Sequence, residues 1–221
     1  MHLAETRDEL DLLRSGSGPF RSLLDQLGAY DPQAIPPAAR PLDYLHGLAA
    51  AHRALVIHGN YLDDEEIGFL GKNSQHMAVV YCPRSHAYFR HDRYPLEKML
   101  SAGATMALGT DGRASSPDLS LLAEMRFVAG QYTAVDRQVI LRLGTIEGAK
   151  ALGRDQELGT LAPGKRADLA VVSLPNRHAR DPHDLLFDSA LPVAATYCEG
   201  KFVAGTFQSM PVQNKPFQSD P

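Results

Sequence analysis

Four residues carry the chemistry that this sequence is equipped to do. His2, His58 and Asp111 are two imidazoles and a carboxylate, a donor set suited to Zn²⁺ or another divalent first-row cation. Such a cation lowers the pKa of a bound water from about 15.7 toward ~7, which makes hydroxide available at neutral pH. Glu5 follows His2 by three residues, so one tight turn aims both side chains the same way, and a carboxylate beside the cation can shuttle the proton. Each residue has a duller reading when taken alone. An Asp behind a strand is commonly a turn former or cap, a terminal His is commonly solvated, and a His at a strand end is commonly satisfied by a hydrogen bond. Their meaning depends on whether the fold brings them together.

The elements that must do so read as repeats of strand, polar turn and helix. Ala54 to Ile57 is an apolar run ending in His58-Gly59, followed by a helix start with Asp63 as N-cap and Glu66 three residues on. Met77 to Cys82 is nearly all apolar, as expected of a parallel strand buried on both faces, and Pro83 ends it. Behind it, Arg84, His86, Tyr88, Phe89 and His91 form a segment that reads as a loop suited to a planar polar molecule, through stacking and hydrogen bonds. Tyr94 to Ala102 reads as the crossover helix, with Gly103 at its C′ position. Thr105 to Leu108 then leads through Gly109 to Asp111, with Ser116 as N-cap and Pro117 as first residue of the next helix. Asp136 to Leu152 reads as one further helix. In parallel α/β architectures the loops at the carboxyl ends of strands converge on one opening, which places His2, His58 and Asp111 on one rim.

Bulk properties exclude several classes. The 221 residues are 44% hydrophobic and 22% charged with a formal charge of -4, and no basic run interleaved with aromatics suggests nucleic acid. No window approaches the ~20 apolar residues of a membrane span, and the first residues are not a signal peptide, so a cytoplasmic enzyme is expected. Cys82 and Cys198 are far apart and outside any CxxC, in keeping with reduced thiols. Residues 1–155 are expected to form an α/β unit, part of a parallel (β/α) barrel whose full form takes ~250 residues. Residues 156–207 are expected to form part of a small β-rich unit, and 208–221 a disordered tail.

Five segments, taken together, resemble a known family. They are His2-Leu-Ala-Glu5-Thr, Val56-Ile-His58-Gly, Cys82-Pro-Arg84-Ser-His86, Leu108-Gly-Thr-Asp111-Gly-Arg113-Ala-Ser, and Gly159-Thr-Leu-Ala-Pro-Gly-Lys165-Arg-Ala-Asp168-Leu. In this order and spacing they look like the carboxyl-terminal half of the amidohydrolase superfamily, in its chlorohydrolase and nucleobase or nucleoside deaminase branch. The resemblance implies that His2 follows barrel strand 5 and His58 strand 6, both as metal ligands. It implies that Asp111 follows strand 8 as a ligand that also takes a proton from the attacking water. Glu5 is the implied proton shuttle to a ring nitrogen, and His86 and Arg113 the implied substrate contacts, to which the cationic Arg84 is added from its place in the motif. The implied reaction is hydrolysis of a non-peptide carbon–nitrogen bond in a small heterocycle, with zinc as the expected metal and iron the alternative.

One departure stands against these agreements. The family's barrel opens with a His-x-His pair, and none of the nine histidines here is two residues from another. Strands 1 to 4 are expected to be missing as well, so that the enzyme is completed by an absent amino-terminal segment or another chain, or forms a homo-oligomer. A second reading is a catalytically inactive truncated fragment, and on either reading the isolated chain is expected to turn over negligibly. A third is a binding module that uses the His86 to His91 segment without chemistry. The substrate stays open among purines, pyrimidines, triazines and adenosine-like nucleosides.

Overall fold

Short apolar runs with β-branched residues, each closed by glycine, proline or a capping side chain, set the alternation of elements along the chain. The computed structural model describes residues 1–206; the expected tail at 208–221 lies outside them. The first unit, Met1–Pro163, opens with β1 (His2–Leu3), α1 (Arg7–Ser15), α2 (Pro19–Gln26) and α3 (Pro41–Ala49). Then follow β2 (Ala54–His58), α4 (Asp64–Lys72), β3 (Met77–Tyr81), α5 (Pro83–Tyr88), α6 (Leu96–Ser101) and β4 (Thr105–Leu108). It closes with α7 (Leu121–Gln131), α8 (Arg137–Leu143) and α9 (Ile146–Ala151).

The four strands form one parallel sheet in the order β1-β2-β3-β4, as expected of consecutive strand and helix units. The register places Leu3 beside His58, Val56 beside Val79 and Tyr81 beside Leu108. Because the strands are in parallel register, the residues that follow β1, β2 and β4 emerge at the same end of the sheet. Val56 and Val79 are fully buried, along with Leu45, Leu70, Leu96, Met99 and Ile140 from the helices. Tyr81 and Tyr94 stack with ring centroids 3.8 Å apart, and the Tyr94 hydroxyl donates to the carbonyl of His58 at 3.0 Å.

Several expected boundaries move, each for a physical reason. Asp63 and Glu66 form the reciprocal capping box that starts α4, as the spacing implies. The segment behind Pro83 is not a loop but the short helix α5, for which Pro83 supplies the first residue. The N-cap of α7 is Ser120, whose hydroxyl accepts from the Ala123 N–H. Ser116 instead donates to the carbonyl of Asp118 and stays in the preceding turn. The run from Asp136 to Leu152 divides at Gly144, where a Cβ would come within 2.4 Å of the Met125 sulfur. The chain therefore turns there and restarts as α9.

The second unit begins at Gly164. It comprises β5 (Leu169–Val172), α10 (Pro182–Phe187), β6 (Val193–Cys198) and β7 (Lys201–Gly205), with the strands antiparallel in the order β5-β6-β7. Glu199 and Gly200, at φ 52° and 76°, make the hairpin turn between β6 and β7. The helix α10 was not foreseen from the sequence; Asp181 caps it by accepting from the His183 N–H, and Pro182 opens it. Cys82 is a buried free thiol and Cys198 an exposed one. Among the described residues no helix is long and apolar enough to cross a membrane.

Candidate metal centre

His58 is the last residue of β2 and Asp111 follows β4 by three residues. His2, expected to follow its strand, instead opens the two-residue β1, in register with Ile57 and one step before His58. One ligand atom from each lies within 4.8 Å of the other two. The rings of His2 and His58 have centroids 5.2 Å apart, and Glu5 Oε1 is 3.6 Å from His58 Nε2. The backbone is left-handed at Ala4, His58 and Asp111, with φ of 52°, 71° and 57°. A side chain in that region costs on the order of 1 kcal/mol or more. Here the turn it produces ends the strand pairing where the site begins. Gly109, in the turn before Asp111, packs so closely on the neighbouring strand that a Cβ would sit 2.8 Å from Val80 Cγ1.

The surroundings bring these groups to the protonation states that ligands require. His58 is buried, and burial lowers its pKa below that of a free imidazole, which favours the neutral form. Burial pushes Asp111 up, but the Ser85 and Ser115 hydroxyls donate to its Oδ2 at 2.7 and 3.0 Å and hold it below the usual carboxylate range. Glu5 moves the other way: burial first, then the Asp111 charge, raises its pKa. The His58 imidazole held neutral, the ionised Asp111 carboxylate and the His2 imidazole form a donor set that fits a divalent first-row cation.

The strap carrying Glu5 is fixed by its neighbours. Both oxygens of Glu9 accept backbone N–H groups, from Ala4 at 2.8 Å and from Glu5 at 2.7 Å. Asn60 Nδ2 donates to the Glu5 carbonyl at 2.9 Å. Glu9, Asn60, Ser85 and Ser115 were not among the residues expected at the site. Ser115 lies four residues after Asp111, within one turn's reach, but nothing in local spacing points to Ser85, which arrives on α5, behind the neighbouring strand β3.

The expected substrate contacts part company. His86 is buried on α5, packed edge-on against Tyr81 and Tyr94 and 5.3 Å from the ring of His91. Burial, then the neighbouring His91, lowers its pKa to about 4. His91, left outside the expected site set, has its Nδ1 3.1 Å from the Tyr61 hydroxyl, and its field acts on Glu5. Arg84 is held by the protein: Nε donates to the fully buried Glu124 at 2.7 Å and Nη2 to Asp118 at 2.6 Å. Arg113 lines an open hollow with Arg84, Tyr88, Ser115 and Phe127, about 460 Å³ in volume, and Ser115 joins that hollow to the Asp111 cluster.

Comparison with known proteins places the chain in a family. A family model described as the amidohydrolase family matches residues 1–203. A 5-methylthioadenosine/S-adenosylhomocysteine deaminase of Moorella thermoacetica is 33% identical over 194 residues, covering 84% of this chain and 40% of that protein. The protein of the same name from Symbiobacterium thermophilum is 32% identical, covering 92% of this chain and 45% of its own length. This chain thus spans less than half the length of these relatives. Among solved structures, an adenosine deaminase from Xanthomonas campestris with bound zinc superposes with a TM-score of 0.65 at 29% identity, over 82% of this chain and 47% of that one. Helicobacter pylori aminofutalosine deaminase superposes with a TM-score of 0.73 at 23% identity, over 92% and 51%, a likeness of fold.

Proposed function

The chain belongs to the amidohydrolase family, and from that premise we propose that it carries the His2, His58 and Asp111 wall of a metal-dependent hydrolase that deaminates a nucleoside-like heterocycle. The observation that carries this reading is the convergence of three ligand atoms within 4.8 Å, with the Glu5 carboxylate beside them. Zinc is the proposed metal, on the chemistry of the donor set and the zinc bound in the Xanthomonas campestris relative. When bound, the cation would supply Lewis acidity that makes hydroxide available near neutral pH.

The chain's own residues supply the proton handling. Asp111, held ionised by two serine hydroxyls, is placed to take a proton from the attacking water. Glu5, its pKa raised by burial, is suited to pass a proton to a ring nitrogen as an amine leaves. His58, buried and neutral, would hold the cation beside Glu5. His86 and Arg113 are the proposed contacts to the heterocycle; Arg84 acts on the site through Glu124 and Asp118. An adenosine-like nucleoside with a thioether side chain is the favoured substrate class, after the names of the relatives. The four parallel strands are read as strands 5 to 8 of a (β/α) barrel.

The test is the zinc content of the chain, and ammonia release by the chain combined with the amino-terminal barrel half of a relative, over a panel of methylthioadenosine, adenosine and guanine. The expected result is about one zinc per chain, lost in Asp111→Asn, and ammonia release that Glu5→Gln abolishes while zinc stays bound. Zinc binding without ammonia from any member would favour the second reading, a catalytically inactive fragment of such an enzyme. No zinc binding at all would sink the proposed metal centre.

A further inference from the structure

A second polar cavity lies at the opposite end of the parallel sheet, where the strands begin. Its volume is about 260 Å³, and Arg53, Ser74, Gln75, His76, Thr105 and Lys150 line it together with Asp155. That is several times the ~30 Å³ that a water molecule occupies in the liquid, and enough for a small polyatomic ion. Arg53 precedes β2, His76 precedes β3, and Thr105 opens β4, so the amino ends of three adjacent strands define the cavity.

Of its polar groups the Arg53 guanidinium is anchored by the fold, while Ser74, Gln75 and His76 reach solvent. The Arg53 guanidinium is anchored at one point, Nη1 donating to the Lys150 carbonyl at 2.6 Å. It lies flat against Gly153, where a Cβ would come within 2.6 Å of Nε. Arg53 has no carboxylate partner among the described residues, and the Ser74 hydroxyl, the Gln75 amide and the His76 imidazole make no side-chain hydrogen bond there. Lys150 and Arg142 share Glu147, and the Asp155 Oδ2 accepts from Gln156 at 3.2 Å. The cations that line the cavity are Arg53 and Lys150, and the one lining carboxylate is Asp155. An immobilised guanidinium with open donors, flanked by hydroxyl, amide and imidazole, is the arrangement that suits a tetrahedral oxyanion.

We propose that this cavity is an oxyanion site, binding phosphate, free or as a phosphomonoester, on Arg53 with Ser74, Gln75 and His76. It is independent of the proposed hydrolase centre, which lies at the other end of the strands. Phosphate binding is measured on the full chain by calorimetry and by the rise in Tm, at constant ionic strength with chloride as the control. Saturable binding is expected, weakened at least tenfold in Arg53→Met and in Gln75→Glu. The second variant alters an exposed side chain and keeps the proposal testable should the first fail to fold. Asp111→Asn is expected to bind phosphate as the unaltered chain does. The proposal is overturned by the absence of saturable binding, by wild-type binding in Gln75→Glu, or by loss of binding in Asp111→Asn, which would locate the ion at the other centre. Glycerol phosphate separates the sources: affinity equal to phosphate supports an esterified ligand, and affinity tenfold lower supports the free ion in the same cavity.

Discussion

Asp111 owes its ionised state to two hydroxyls that reach it from different segments. Ser85 comes from α5 and Ser115 from the turn behind β4, and both donate to the same carboxylate oxygen. Removing one such partner of a metal ligand typically weakens metal affinity 10–100-fold. Ser85→Ala is therefore expected to bind zinc within that range more weakly, by competition with a chromophoric chelator, while its urea midpoint stays close to wild type; unchanged affinity would refute the assignment. His86 gives a pH signature. Its imidazole ionises near 6.5 when unfolded and only at about 4 when folded, so the unfolded state binds more protons in that window and stability falls as pH drops through it. The loss approaches roughly 3 kcal/mol below pH 4. His86→Phe should flatten the acid limb of a urea-stability profile between pH 6.5 and 4; a limb of unchanged slope would contradict the burial argument. At this scale the sequence already names His2, His58 and Asp111 as groups that the structure brings together, because donor type and the ends of β2 and β4 are local signals. It does not name Ser85, because 26 residues separate it from Asp111 and only strand pairing closes that distance.

Elements whose ends are set by neighbouring residues were read correctly, and elements whose ends are set by distant packing were not. The Asp63 and Glu66 capping box is complete within four residues, so α4 starts where its sequence indicates. The start of α7 depends instead on Arg84, which takes the Asp118 carboxylate and lies against Ser116, so that the helix begins at the next serine. The division between α8 and α9 depends on Met125 of another helix. Arg84 also neutralises Glu124, which is fully buried within α7, and whose pKa burial raises. Arg84→Met is expected to destabilise the first unit by about 3–5 kcal/mol, the usual cost of orphaning a buried charge. Adding Glu124→Leu should restore most of it. Urea denaturation of the single and double variants checks this, and a single variant that loses under 1 kcal/mol would show that the pair does not brace α5 against α7.

At the scale of the whole chain, the two units divide between Pro163 and Gly164, and the approach to that division is exposed, Leu161 being 87% accessible. Brief chymotrypsin treatment should therefore cut first after Leu161 and release a fragment of residues 1–161, identified by mass; a first cut within β2, β3 or β4 would contradict the described packing. The second unit was expected from about residue 156, because glycine and proline crowd the stretch 153–168; composition marks a connection but not which side its residues pack on. The sequence by itself determined the alternation of apolar runs and polar turns, the parallel order that follows from it, and the identity of the groups able to hold a cation, because period, capping and donor type are local properties. Only the tertiary structure decided that those groups meet within 4.8 Å, that two serines hold one of them ionised, and that a second cavity opens where the strands begin. Each of these depends on which strands lie side by side, and that is settled by long-range packing.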